Sequence, residues 1–145
     1  MRFMIIVPAT KESEAGVLPT GEELAAMGKY GEEMVKAGVV LDGVGLRPSS
    51  LGARVKFVGG GKRPHVIDGP FAESKELIAG FSIIQVRSKA EAIEWASRAP
   101  FPAGTQLEIR QIFEDDDFAA SDPTGELREQ DAKLREEMAH KAREI

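Results

Sequence analysis

The chain has 145 residues, 42% of them hydrophobic, which suits one globular domain with a solvated tail rather than two substantial domains. A net charge of −5 and a pI near 5.2 offer no basic field for a phosphate backbone, so nucleic acid is not an expected partner. Cysteine is absent, which excludes disulfides, thiolate metal sites and a cysteine nucleophile, and no run approaches the about 18 apolar residues of a membrane span.

The opening Phe3 to Val7 is β-branched and aromatic, is stopped by Pro8 and predicts a strand. It has no small-residue cleavage site, so it is not read as a signal peptide, and a cytoplasmic protein is expected. Thr20-Gly21-Glu22-Glu23 is a capping box, followed by Leu24, Met27, Gly31, Met34 and Val35 at helical spacing, with Gly38 placed to end the helix. Val39 to Leu46 predicts a second strand in which Gly43 and Gly45 allow a bend or bulge. Arg54 to Val58 and His65 to Asp68 flank a glycine-rich turn and read as a hairpin. Gly80 to Val86 is the next strand. Ser88-Lys89-Ala90-Glu91 opens a second helix that stops before Pro100, and Thr105 to Phe113 alternates as a last strand.

This order, β-α-β, an inserted β-hairpin, then β-α-β, predicts an α+β ferredoxin-like sandwich of the dimeric α+β barrel type. Phe3, Ile5 and Val7 oppose Met4 and Ile6, and Phe81 and Ile83 oppose Ile84 and Val86, so both sheet faces are apolar. Two helices cover one face only. A homodimer packed sheet to sheet is the expected cover for the other. After Phe113 the composition turns acidic and then helix-forming and charged. The expected division is a domain over 1–113 and an acidic linker with a charged helical arm over 114–145, either laid on a partner subunit or exposed.

The densest group of candidate site residues is Asp68-Gly69-Pro70-Phe71-Ala72-Glu73-Ser74-Lys75-Glu76. Charges around a Gly-Pro turn with a phenylalanine in their midst predict a partly buried polar corner. An aspartate before a turn usually accepts the amide two residues on, but Pro70 has none. The Asp68 carboxylate is therefore either satisfied by the amides of Phe71 or Ala72, or directed into a cleft as a base or ligand contact. Glu73 and Lys75 share a face if the segment is extended, giving either an anion contact or a surface charge cluster. Glu108 and Arg110 fall on the face away from the helices, where Arg110 serves a carboxylate or phosphate, or an interfacial ion pair. His65, the one histidine of the folded body, lies three residues before Asp68 and is either a surface residue or a candidate base. His140 is too far away for a metal-ligand spacing. The run Glu114 to Asp117 lacks the glycine and terminal glutamate of a calcium loop, Gly59-Gly60-Gly61-Lys62 is not a phosphate loop, and neither a cofactor nor a metal is expected.

Several segments together resemble the YCII-related family of the DGPF type. They are Phe3 to Val7, Gly43-Val44-Gly45-Leu46 with Pro48, Asp68 to Glu76, Gly80-Phe81, Ala92-Ile93-Glu94-Trp95-Ala96 with Pro100, and Glu108-Ile109-Arg110. The resemblance covers roughly residues 1 to 113. It implies a dimeric ferredoxin-like fold with a cleft near the sheet and the dimer interface, in proteins that act as enzymes or small-ligand binders. Some bacterial members are encoded beside alternative sigma factors. More distant relatives are thought to use a His–Asp pair, and His65 does not match the position of their histidine. The expected function is a binder of a small polar or anionic molecule, or an acid–base enzyme, with Asp68 as the catalytic residue and His65, Glu73, Lys75, Glu108 and Arg110 around the ligand. The alternative is a non-catalytic interaction protein linked to transcription, acting through the C-terminal arm.

Overall fold

The computed structural model describes residues 1–72 and 74–142. They fall into two compact units, Met1–Ile112 and Phe113–Ile145. In the first unit, strand β1 (Arg2–Pro8) leads to a short helix α1 (Lys11–Glu14) and a long one, α2 (Gly21–Lys36). Strand β2 (Val40–Gly45), the two-stranded ribbon of β3 (Ala53–Lys56) and β4 (His65–Asp68), and strand β5 (Ile78–Gln85) follow. Helix α3 (Lys89–Ser97) and strand β6 (Glu108–Gln111) complete it. The main sheet runs β2-β5-β1-β6, antiparallel throughout. That order, with α2 and α3 contributing to one core against the sheet, is the ferredoxin-like α+β sandwich.

Local chemistry places the helices. The Thr20 hydroxyl accepts from the Glu23 amide at 3.2 Å while the Glu23 carboxylate accepts from the Thr20 amide at 3.0 Å. Gly38, at φ 71°, takes the left-handed position just beyond the C-cap Ala37. At α3 the Ser88 hydroxyl accepts from the Glu91 amide, but the Glu91 carboxylate reaches the Arg87 amide instead of the cap residue's own. Helix α1 is absent from the sequence reading, since Lys-Glu-Ser-Glu carries no apolar periodicity. It forms because Thr10 and Ser13 cap each other through side chain and backbone.

Two strands are shorter than expected. The last strand covers Glu108–Gln111 and not Thr105 to Phe113, because β1 pairs with it only over Phe3 to Ile6 and Thr105 is held in a turn by the Pro102 carbonyl. The ribbon strand β3 ends at Lys56, ahead of a turn where Gly59, Gly60 and Gly61 all have positive φ. The irregularity in β2 lies between Val40 and Asp42 and not at its glycines.

Register divides the inner face of the sheet into a filled half and a hollow half. Phe3 opposite Ile84, with Ile5 and Val86, packs on Tyr30 and Met34 of α2 and on Ala92, Trp95 and Ala96 of α3. Further along, Gly43 lies opposite Ser82, and Gly45 opposite Gly80, so the β2–β5 part of the same face carries almost no side chains, while β1 adds Ile5 and Val7 beside it. On the outer face two rows cross the sheet: Val44, Phe81, Ile6 and Glu108, then Asp42, Ile83, Met4 and Arg110.

The second unit has a 3-10 turn over Asp115–Phe118, where the rings of Phe113 and Phe118 lie 5.0 Å apart, and a helix α4 (Glu126–Lys141) with no buried residue. Asp122 is the buried charge that starts α4. Its carboxylate accepts from the amides of Leu127 and Arg128 and from the Arg128 guanidinium, which hold its pKa below the usual range. No described helix is long and apolar enough to cross a membrane.

The glycines of the hollow half differ in what they tolerate. A Cβ at Gly80 would stand 2.6 Å from the Val44 carbonyl oxygen, whereas one at Gly45 would meet nothing within 4 Å. Gly80→Ala is expected to cost about 1–3 kcal/mol of stability in denaturant unfolding. Gly45→Ala is expected to stay within about 0.5 kcal/mol of the parent by the same measurement.

Candidate functional site

Three separate pieces of chain hold the Asp68 turn. The Gly69 amide donates to the Gly52 carbonyl at 3.0 Å, and a Cβ on Gly69 would run into the carbonyl of Ser49, in the 3-10 turn Ser49–Leu51. Only glycine permits that approach. The Phe71 amide donates to the Ser49 hydroxyl at 3.1 Å, and that hydroxyl donates onward to a Glu14 carboxylate oxygen at 2.5 Å. The other Glu14 oxygen accepts from the Ser49 amide at 2.8 Å. Glu14 thus ties α1 to the turn, and the Ser49 hydroxyl, followed by the Ser49 amide, holds its pKa below the usual carboxylate range. On the other side the Arg54 guanidinium stacks 3.9 Å from the centre of the Phe71 ring. The Gly69–Pro70 peptide is cis.

Within this frame Gly69 and Phe71 are half-buried, whereas Asp68 itself is exposed. It ends β4 opposite Ala53, on a ribbon whose residues are exposed on both sides. The Phe71 amide, one of its two expected donors, is taken by Ser49, and among the described residues no group donates to the Asp68 carboxylate. His65 stands opposite Lys56 at the far end of the ribbon. Three residues from Asp68 along a strand, it faces the opposite side, so the two do not form a pair.

Lys75 is not extended but lies in a 3-10 turn over Ser74–Glu76. Glu73, and with it the expected Glu73–Lys75 face, falls outside the described residues. Glu108 and Arg110 do share the outer face, 3.4 Å apart, yet remain 61% and 72% exposed. The expected desolvation of that pair is missing because nothing in the described chain covers this face. Among the described residues no group of three or more histidine, aspartate or glutamate side chains could hold a metal ion.

A wide recess lies elsewhere. An open groove of about 1850 Å³ runs between α2 and the hollow half of the sheet. Its floor is Gly43, Gly45, Gly80 and Ser82, and its roof is Leu24, Met27, Gly31 and Met34. The loop from Phe101 to Thr105 closes one end, and Lys75 and Glu76 stand in a side wall. Thr10 and Ser13 also line it, so α1 borders the groove while Glu14 anchors α1 to the Asp68 turn. Of the expected site residues, the groove gathers Lys75 and Glu108, and it does not include Asp68, His65 or Arg110. Tyr30 lines it too, but its hydroxyl is committed to the Trp95 carbonyl at 2.7 Å, and burial pushes its pKa up.

The YCII-related domain model matches residues 1–116. This chain belongs to the YCII-related family. None of the curated proteins compared with this YCII-related chain matches it. Among solved structures it is similar to 5-chloro-2-hydroxyhydroquinone dehydrochlorinase from Burkholderia phenoliruptrix AC1100, solved in complex with 2,5-dihydroxybenzoquinone. The identity is 19%, the match covers 80% of this chain and 98% of that one, and the TM-score is 0.40. At that score the enzyme's chemistry does not carry over to this YCII-related chain.

Sequence reasoning missed Glu14, Ser49 and the groove floor. Glu14 and Ser49 are 35 residues apart and carry no local signal of their partnership. The floor had one: glycines at alternate positions of β2, with Gly80 and Ser82 at alternate positions of β5, remove side chains from a single face.

The Glu14 tether has a pH dependence whose sign is fixed by its lowered pKa. Its contribution is complete above the ordinary glutamate range and is lost as pH falls through the depressed folded value. The protection factor of the Phe71 amide, its exchange rate relative to the free peptide at the same pH, is expected to fall on acidification through that window. In Ser49→Ala the amide should be unprotected at every pH, and an unchanged Phe71 protection in that variant would remove the tether from the account.

Proposed function

We propose that this YCII-related chain binds a small molecule in the groove between α2 and the sheet, and works as a homodimer packed through the outer sheet face. The observation that carries the first half is the glycine floor of β2 and β5, Gly43, Gly45 and Gly80 beside Ser82. Glycines at Gly43 and Gly45 cost strand stability, and leaving a helix partly unsupported costs packing, so a hollow in that place is expensive unless something occupies it. Mostly apolar walls with a few polar groups are the usual make-up of a ligand site. Its volume exceeds the several hundred Å³ such a ligand needs, so the ligand would take the glycine-floored part.

Support for the dimer comes from the outer face. Val44, Phe81, Ile6, Ile83 and Met4 form one apolar strip bordered by Asp42 on one edge strand and by Glu108 and Arg110 on the other. A second copy would cover the strip and desolvate the Glu108–Arg110 pair.

A second reading, acid–base catalysis by Asp68, is favoured by one observation: the Phe71 amide that would cap its carboxylate is already given to Ser49. In that reading the tether orders the turn and leaves the carboxylate available.

A thermal-shift screen of wild type, Gly45→Leu and Asp68→Asn against a panel of small metabolites tests both. A metabolite that stabilises wild type and Asp68→Asn but not Gly45→Leu is the expected result. One that stabilises Gly45→Leu and fails on Asp68→Asn moves the site to the turn and overturns the groove. For the dimer, light scattering should give twice the 15.7 kDa chain mass for wild type and the single mass for Phe81→Asp.

A further inference from the structure

We propose that the groove takes a flat aromatic ring bearing a hydroxyl or carbonyl group, laid on the backbone of β2 and β5 with its polar group at Ser82. This rests on the groove reading above and names the class of ligand. The first observation is the shape of the slot. A Cβ built on Gly45 meets no atom within 4 Å, and neither does one built on Gly31 in the roof, so space is open above the floor and below the helix at once. On the β2–β5 part of the floor, where Ser82 carries the one side chain beside Gly43, Gly45 and Gly80, peptide planes are presented. A planar ring touches such a surface over its whole face at a van der Waals separation of about 3.5–4 Å, whereas a puckered aliphatic ring touches it at a few atoms.

The second observation is the make-up of the walls. Met27 and Met34 line the groove from α2 and Phe101 from the loop after α3, so residues with thioether and aromatic side chains border it. Thioethers and ring edges both favour an aromatic neighbour over an aliphatic one of equal area. The third is the polar handle. Ser82 shares the inner face with Ile5 and Gly43 and lines the groove, and no described residue hydrogen-bonds its hydroxyl. Its oxygen is not a sealed, unsatisfied atom, since none such occurs among the described side chains, so it faces open space. A hydroxyl both donates and accepts, which suits a phenol or a ring carbonyl. No ionisable side chain stands on the floor itself; Lys75 and Glu76 are in the walls, the Glu108 side chain lies on the outer face, and the Tyr30 hydroxyl is occupied by Trp95.

The test uses two probes of matched polarity, 2-naphthol and decahydro-2-naphthol, titrated calorimetrically into the full chain. 2-Naphthol is expected to bind about fivefold or more tightly than its saturated analogue. Ser82→Ala should weaken 2-naphthol about three- to tenfold, the loss of one neutral hydrogen bond, while leaving naphthalene itself unaffected. Gly45→Leu should abolish binding by filling the slot from the floor. Gly31→Leu should do the same from the roof, and since leucine favours the helix it keeps the test valid if the strand variant does not fold. Equal binding of both probes, lost in the two leucine variants, overturns the aromatic class and leaves the groove standing. Binding that survives both leucine variants lies elsewhere and overturns class and groove together. No binding of 2-naphthol by the wild type overturns the aromatic class.

Discussion

Antiparallel pairing of β1 with β5 sets Phe3 opposite Ile84, Ile5 opposite Ser82 and Val7 opposite Gly80. The core, the groove and the outer apolar strip of the first unit follow from that register. Where large residues meet, the sheet supports the buried core beneath α3 and the C-terminal half of α2. Where Ser82 and Gly80 of β5 meet Gly43 and Gly45 of β2, the sheet carries little side chain beneath α2 and the groove opens. The same register aligns Ile83 with Met4 and Phe81 with Ile6 on the outer face, which makes the apolar strip there continuous. Because side chains alternate with period two, a slip of one residue would exchange the two faces and leave neither core nor groove.

The elements with strong local chemistry were legible in the sequence. Both long helices of the first unit begin at hydroxyl caps that can be read directly, and alternation in β1 and β5 sorted their faces correctly. The family resemblance drawn from scattered short segments agrees with the family match over residues 1–116. Helix α1 was hidden because a four-residue polar helix leaves no periodic trace. The extent of β6 was hidden because an edge strand is only as long as its neighbour's free side allows.

The candidate site was read less well, for a physical reason. The charges around Asp68 drew attention to the turn, yet what fixes that turn is a backbone approach at Gly69 and a Glu14–Ser49 link across 35 residues. Neither leaves a mark in local composition. Gly43 and Gly45 were noticed, but as bending points. Their alternation with period two is the signature of a bare face, and only the pairing with Gly80 and Ser82 shows that two bare stretches lie side by side. Glu108 and Arg110 share one face, as expected, and remain exposed there.

The central claim is that the hollow half of the sheet is a binding surface. Amide chemical-shift mapping during titration with 2-naphthol examines it residue by residue. The account predicts that the largest shifts cluster at Gly43, Gly45, Gly80 and Ser82 and at the α2 residues Met27 and Gly31, while the amides of Val66 and Ile67 on the exposed ribbon stay still. Shifts concentrated instead at Asp68 and Phe71, with the floor unchanged, would contradict it.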